Sequence, residues 1–277
     1  MKKITYRLMF LIAGITLMTI SSFVIKNVVE AHANAAPAFA PCDSPANPIV
    51  AENCRTTGVA DSSVWGINGA GDTSIQGFAT AISVNKGETV HFKIKTTALN
   101  YRLDIYRMGY YGGNGARNVA TVSVSLSQAQ TQPACAFDSP TGLLDCGNWS
   151  ESASWAVPSD AVSGIYFARL VRTDTNGASH IFFIVRDDAG ASDLLFQTSD
   201  TTWQAYNFYD VNNGGKSLYG NRAFKVSYNR PFHTGVDGTR AVTIRWDSFI
   251  ERVLPGCPPF RAPRLALDSS LPERCTQ

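Results

Sequence analysis

Residues 164–186 read GIYFARLVRTDTNGASHIFFIVR, two apolar runs separated by a short polar stretch. Each run is about the length of a buried strand and is rich in β-branched and aromatic residues. The polar stretch TDTNG ends in Asn176-Gly177, a dipeptide that favours a tight hairpin turn because both residues tolerate a positive φ. Residues 164–186 therefore predict an antiparallel hairpin.

Strand patterns continue upstream of this hairpin. In VHFKIK, residues 90–95, the apolar Val90, Phe92 and Ile94 alternate with polar residues, and YRLDIYR, residues 101–107, repeats the alternation. Several short strands with regular turns predict a mainly β fold, an immunoglobulin-like antiparallel β-sandwich over residues 61–188. The stretch RDDAG, residues 186–190, is a natural domain boundary.

A different pattern follows this boundary. Leu194, Leu195 and Phe196 form a short apolar run, and then a helix is expected from Thr201 to Phe208, with Asp200 as its capping residue. A strand that leads into a capped helix is typical of an α/β layer. Residues 189–232 are therefore predicted to be an incomplete α/β segment.

The N-terminal residues have the layout of an export signal. Basic residues in the first seven positions precede an apolar stretch from Leu8 to Ile25, and small residues follow it. Residues 1–36 are therefore predicted to be a signal peptide or, because the stretch is long, an uncleaved membrane anchor. The protein is expected to be secreted or at the cell surface, with membrane contact only through this segment if it is uncleaved.

The chain contains six cysteines, which an oxidising compartment would allow to form disulfides. Pairing between sequence neighbours is the favoured arrangement: Cys42 with Cys54, within a linker at residues 37–60, and Cys135 with Cys146. Sequence alone does not settle the connectivity.

Charge and motifs exclude other classes. A net charge of +2 over 277 residues, without a run of Lys or Arg, argues against nucleic-acid binding. No GxSxG motif is present, which argues against a serine hydrolase. Sandwich domains outside the cell commonly bind partners, so a cell-surface or glycan partner is a candidate.

Three motifs downstream of the predicted hairpin carry a family resemblance: TTWQAYN at residues 201–207, SLY at 217–219 and SYNRPF at 227–232. Together with the hairpin sequence they resemble the N,N-dimethylformamidase large (beta) subunit-like family of exported bacterial proteins. The resemblance is expected to cover about Trp65 to Phe232.

The resemblance implies an amide hydrolase whose ferric ion, Fe(III), is held by two tyrosinates and a glutamate. Phenolate oxygens are hard anionic ligands that suit Fe(III). By motif position the implied tyrosine ligands are Tyr206 and Tyr219, with Tyr228 as the alternative to Tyr219. Arg230 is expected to form a structural ion pair rather than to orient a substrate carboxylate.

After Phe232 the sequence pattern changes, because Arg and Pro become frequent and the α/β pattern does not continue. Residues 233–277 are expected to be an atypical, poorly ordered tail. The chain is therefore expected to be a truncated family member without the glutamate ligand and inactive alone. A non-catalytic extracellular β-sandwich that serves as a binding or spacer module is the alternative.

Overall fold

In a computed structural model of the chain, the described residues are 42–45, 47–67, 71–190, 196–210, 214–218 and 222–232. The chain divides into a unit of Met1–Pro45 with Thr276–Gln277 and a second unit of Ala46–Cys275. The predicted signal or anchor and the predicted tail lie outside the described residues. Among the residues that are described, no helix has the length and apolarity needed to cross a membrane.

The second unit consists mainly of short strands. Three short helices are α1 (Pro48–Asn53), α2 (Ser62–Trp65) and α3 (Asp200–Ala205), and a 3-10 turn covers Tyr111–Gly113. The strands are β1 (Val59–Ala60), β2 (Ile75–Ala79), β3 (Ser83–Asn85), β4 (Thr89–Thr96), β5 (Asn100–Met108), β6 (Ala116–Ser125), β7 (Ala136–Asp138), β8 (Leu143–Asp145), β9 (Ala153–Ala156), β10 (Gly164–Arg172) and β11 (Ala178–Arg186).

Two sheets and a hairpin account for these strands. The larger sheet has the order β1-β6-β5-β10-β11-β3, the smaller has the order β2-β4-β9, and β7 pairs with β8 alone. All neighbours are antiparallel except β11 and β3, which run parallel. The prediction of a mainly β, antiparallel sandwich is confirmed, while its immunoglobulin-like character stays a prediction.

The main core lies between the two sheets. Val90, Phe92 and Ile94 of β4 are almost fully buried, as their alternation predicts. They face the larger sheet, where Phe183 packs edge-on against Phe92 with ring centroids 5.8 Å apart. Period-2 burial therefore sets which face of each strand enters the core.

The predicted hairpin is present. Strands β10 and β11 pair from Gly164 opposite Val185 to Val171 opposite Ala178. At the turn Asn176 has a φ of 60°, the left-handed conformation that made Asn-Gly a turn signal.

Residues upstream of the sandwich are attached to it through the buried Glu52 of α1. The carboxylate of Glu52 accepts hydrogen bonds from Arg117 Nε at 2.7 Å and from the Tyr111 hydroxyl at 2.8 Å. An exposed Arg55 side chain lies 3.0 Å from its second oxygen. Part of the segment expected to be a linker is thus a helix held on β6 by a buried ion pair.

One predicted disulfide is confirmed: Cys135 bonds Cys146 across a sequence separation of 11. Cys146 is fully buried beside Phe78, Leu144 and Trp149. Cys42 and Cys54 are also disulfide-bonded, and their pairing with each other stays a prediction.

We expect the double replacement Cys135→Ser and Cys146→Ser to lower the free energy of unfolding by about 2–4 kcal/mol. The physical reason is that, without the disulfide, the unfolded chain regains the conformational entropy that closure of this loop removes. Urea unfolding of the variant and the wild type under oxidising conditions measures the difference. Equal midpoints and slopes would show that the loop contributes no constraint.

Candidate functional site

The three motifs lie in the segment at residues 196–232, and the described parts of this segment pack against the hairpin of β7 and β8. Its Tyr209 is buried beside Leu144 in a cluster completed by the disulfide cysteines. Farther along, the Phe224 amide donates to the Thr141 carbonyl at 2.7 Å. The segment thus packs against the edge of the sandwich.

Gly142 and Asp145 of the hairpin allow the segment to pack closely against it. A side chain at Gly142 would meet the Lys216 side chain at 2.9 Å and the Ala223 backbone at 3.2 Å, and its φ of 71° also favours glycine. Asp145 accepts hydrogen bonds from the Gly147 amide through Oδ1, and from the Ser227 hydroxyl through Oδ2. Asp145 therefore serves as a structural acceptor between the hairpin and the segment.

Helix α3 is shorter than predicted and is capped differently. It ends at Ala205 rather than Phe208, and Asp200 is its first residue rather than its cap. The helix stops because Asn207 Oδ1 accepts the Tyr209 amide at 3.0 Å, a local side-chain bond that competes with helical hydrogen bonding. Asp200 instead accepts from the Thr198 hydroxyl at 3.0 Å and from the Tyr228 hydroxyl at 2.6 Å.

Arg230, in the third motif, hydrogen-bonds to the first motif and to the residue that precedes the second. Its guanidinium donates through Nη1 to the Lys216 carbonyl at 2.9 Å and through Nη2 to the Gln204 carbonyl at 3.4 Å. Asn207 Nδ2 in turn donates to the Pro231 carbonyl at 3.0 Å. We call residues 204–207, 216–218 and 230–232 the motif junction.

The motif junction is rich in buried polar side chains: Gln204, Asn207, Ser217 and Arg230. The first three were not predicted as site residues. Each of them lies inside one of the three motifs, and this is the one feature of the sequence that could have pointed to them. The expected ion pair of Arg230 is wrong for the described residues, where its partners are carbonyl oxygens. Burial lowers the pKa of Arg230 to about 10, against a smaller opposing effect of Asp145.

The predicted metal ligands are only partly described. Tyr206 is half-buried at the C-terminal end of α3. Tyr219 lies outside the described residues. Tyr228, the alternative, is 39% exposed and donates its hydroxyl to Asp200.

The described residues do not test the predicted ferric site, because Tyr219 lies outside them. Between 196 and 232 the described carboxylates are Asp200 and Asp210, and no glutamate is present there. The described residues also contain no group of three or more His, Cys, Asp or Glu that could hold a metal ion. Burial, followed by the hydrogen bond to Asp200, raises the pKa of Tyr228 to about 12.

We expect Asp200→Asn to lower the pKa of Tyr228 toward its ordinary value near 10. The neutral phenol is favoured in the folded state, so its contribution to stability is complete below about pH 10 and is lost as the pH rises through about 12. Alkaline titration of tyrosinate absorbance, read as the difference between each protein and its Tyr228→Phe derivative, measures the shift. A Tyr228 titration that is the same in the wild type and in the Asp200→Asn variant would contradict the assignment of this carboxylate.

The comparisons with known proteins concern the same region. Residues 102–254 match a family model described as N,N-dimethylformamidase beta subunit-like, C-terminal. The match takes in most of the sandwich and the motif junction. It extends past Phe232, so the expected end of the resemblance at that residue is wrong.

Two solved structures have a low similarity to this chain. The Pseudomonas fluorescens alkylpurine DNA glycosylase AlkC, bound to DNA containing an abasic site analog, is 12% identical, with 41% of this chain and 30% of that chain covered and a TM-score of 0.24. An AA10 lytic polysaccharide monooxygenase from Streptomyces lividans is 15% identical, with 38% and 58% covered and a TM-score of 0.23. The chain thus spans less than two thirds of either structure. No curated protein matches the chain.

Proposed function

Because this chain belongs to the N,N-dimethylformamidase beta subunit-like family, we propose that it is an exported, amide-hydrolase-related protein that does not hydrolyse amides by itself. The observation that carries this proposal is that buried polar groups of the motif junction hydrogen-bond to the backbone. Arg230, the largest of these buried side chains, donates to two backbone carbonyls, and neither of its two hydrogen bonds orients a side chain for catalysis.

The neighbouring polar groups support the same conclusion. Asp200 accepts from the Tyr228 hydroxyl, and Asp145 accepts from Ser227. Amide hydrolysis needs an activated water and a group that stabilises the oxyanion. Asp145 holds the segment on the sandwich, and Asp200 joins two parts of the segment, so both carboxylates already accept structural hydrogen bonds from neutral hydroxyls. This leaves them poorly placed to activate water.

Purified full-length protein tests the proposal. We expect no release of amine from N,N-dimethylformamide, and no visible tyrosinate-to-iron absorption band after incubation with ferric salt. Tyr206→Phe is the matched variant, because it should then behave like the wild type in both assays. A visible band and amine release that both disappear in Tyr206→Phe would instead establish an iron-dependent amide hydrolase.

A specific observation also favours a second candidate, a non-catalytic extracellular binding module. Phe224 is 81% exposed and lies between Arg222 and Lys225, both of which are exposed. An exposed ring flanked by cations is suited to stacking on a sugar with acidic groups.

Retention on immobilised acidic cell-wall polysaccharide tests this second function. We expect Phe224→Ser to lose retention, and Leu99→Ser, which changes an exposed apolar residue of the β4–β5 turn, to keep it. Equal retention of both variants would remove Phe224 from the binding surface.

A further inference from the structure

Strand β6 has an open edge over half of its length. It pairs with β5 along one side, whereas on the other side β1 pairs only with Ala116 and Arg117. The Asn118 amide adds one hydrogen bond to the Gly58 carbonyl at 2.7 Å. Within the described part of the chain, no strand pairs with β6 beyond Asn118 on that side. Residues 121–125, TVSVS, are therefore an unpaired strand edge, which we call the β6 edge.

The pairing with β5 shows which backbone groups face outward. The Leu126 amide donates to the Leu99 carbonyl at 2.9 Å, so the backbone N–H and C=O of Leu126 face β5. Successive residues of an antiparallel strand direct these groups to opposite sides, and the register shift between β5 and β6 lies before this stretch. The backbone N–H and C=O groups of Thr121, Ser123 and Ser125 therefore face away from β5, along the open edge.

The β6 edge lacks the features that usually keep strand edges apart. Natural edge strands are blocked by charged side chains, above all lysine, or by proline. Residues 119–126, VATVSVSL, contain neither a charge nor a proline. Val122 and Val124 of this stretch pack against the main core but stay partly exposed because the sheet ends there. A further strand on the β6 edge would cover both valines, which favours its binding.

A second copy of β6 fits this edge. When two copies run antiparallel with their Ser123 residues opposite each other, Thr121 of one copy lies opposite Ser125 of the other. All three outward-facing residues are then in hydrogen-bonded pairs, so each of their free N–H and C=O groups gains a partner. We propose that β6 pairs with β6 of a second copy of this chain, about a two-fold axis at Ser123, and so joins the two larger sheets in a dimer.

The side chains are compatible with the same register. On the core side, Val122 of one copy lies opposite Val124 of the other, and on the outer face only hydroxyl side chains meet. No like charges face each other across the axis, and the same residues serve both halves, which favours a second copy over an unrelated strand. The paired stretch ends with Ser125 of one copy opposite Thr121 of the other, short of Asn118, where β1 already covers the edge. The inference concerns assembly and does not rest on the proposed function.

Sedimentation velocity of the full chain over a wide range of concentrations tests the proposal. We expect a monomer–dimer equilibrium for the wild type. Ser123→Lys and Ser123→Asp each place like charges opposite each other at the axis, so each should dimerise at least about fivefold more weakly. A mixture of the two variants should recover the dimer, because lysine then lies opposite aspartate. Thr121→Lys is the matched control, since its lysine lies opposite Ser125 and should leave the dimer intact.

Ser123→Pro tests the backbone contact separately. Proline removes the outward N–H of this residue, which the monomer does not use, so the edge strand should still form. We expect dimerisation at least about tenfold weaker, because hydrogen bonds at the centre of the contact are lost.

A wild type that sediments as a monomer at every concentration would overturn the proposal. A dimer that Ser123→Pro leaves intact would also overturn it, by placing the contact elsewhere. A mixture of Ser123→Lys and Ser123→Asp that dimerises no better than either variant alone would exclude the two-fold axis at Ser123. A loss in Thr121→Lys as large as that in Ser123→Lys would contradict the register.

Discussion

Replacing Glu52 by alanine is expected to lower the free energy of unfolding by about 3–5 kcal/mol. The carboxylate is 3% exposed and neutralises Arg117, whose side chain is 16% exposed, at 2.6 Å. Its removal also leaves the buried Tyr111 hydroxyl without the acceptor at 2.8 Å. An unpaired guanidinium and an unsatisfied hydroxyl would then remain beneath α1.

Chemical denaturation followed by tryptophan fluorescence measures this change. Glu151→Ala is the matched control, because Glu151 pairs with His91 at an exposed site, where an ion pair contributes about 0–1 kcal/mol. A loss for Glu52→Ala no larger than that of the control would mean that α1 contributes nothing to the stability of the sandwich.

Phe183→Ala is expected to cost about 3–5 kcal/mol through the cavity that it leaves. Phe183 is fully buried in the centre of the sandwich. Its ring contacts those of Phe92, Trp155 and Tyr166, with centroids 5.8, 6.1 and 5.9 Å away. Because these rings come from both sheets, their relaxation into the space of a lost ring is limited.

The exposed Phe137 provides the control for this substitution. Phe137→Ala removes the same number of atoms from a ring that is 43% exposed in β7. We expect a change below about 1 kcal/mol there, since surface substitutions seldom cost more. Similar losses at both positions, measured as shifts of the urea midpoint, would contradict the placement of Phe183 in a closed core.

Much of the sandwich could be predicted because its signals are local. The alternation in β4 directs Val90, Phe92 and Ile94 to one face, and Asn176-Gly177 marks the turn between β10 and β11. The disulfide between Cys135 and Cys146 joins cysteines that are close in sequence, so neighbour pairing was a sound expectation. The partner of β3 was not predictable in the same way, because its parallel pairing with β11 joins residues as far apart as Ser83 and Ile184.

The candidate site, in contrast to the sandwich, could be predicted only in small part. Its motifs were recognisable as residues, but their roles depended on which groups meet. Arg230 was expected to pair with an acid and instead donates to carbonyls of residues 204 and 216. Asp200 was expected to cap α3, yet the fold brings the Tyr228 hydroxyl to it.

The sequence by itself determined the class of fold, the strand faces, the hairpin and the family, because side-chain periodicity and turn residues act over a few neighbouring positions. Only the tertiary structure decided that Glu52 binds Arg117 and that the buried guanidinium of Arg230 bonds to the first motif and to the residue before the second. Hydrogen bonds and ion pairs between distant residues depend on how the sheets and loops pack, and neither spacing nor composition specifies that packing.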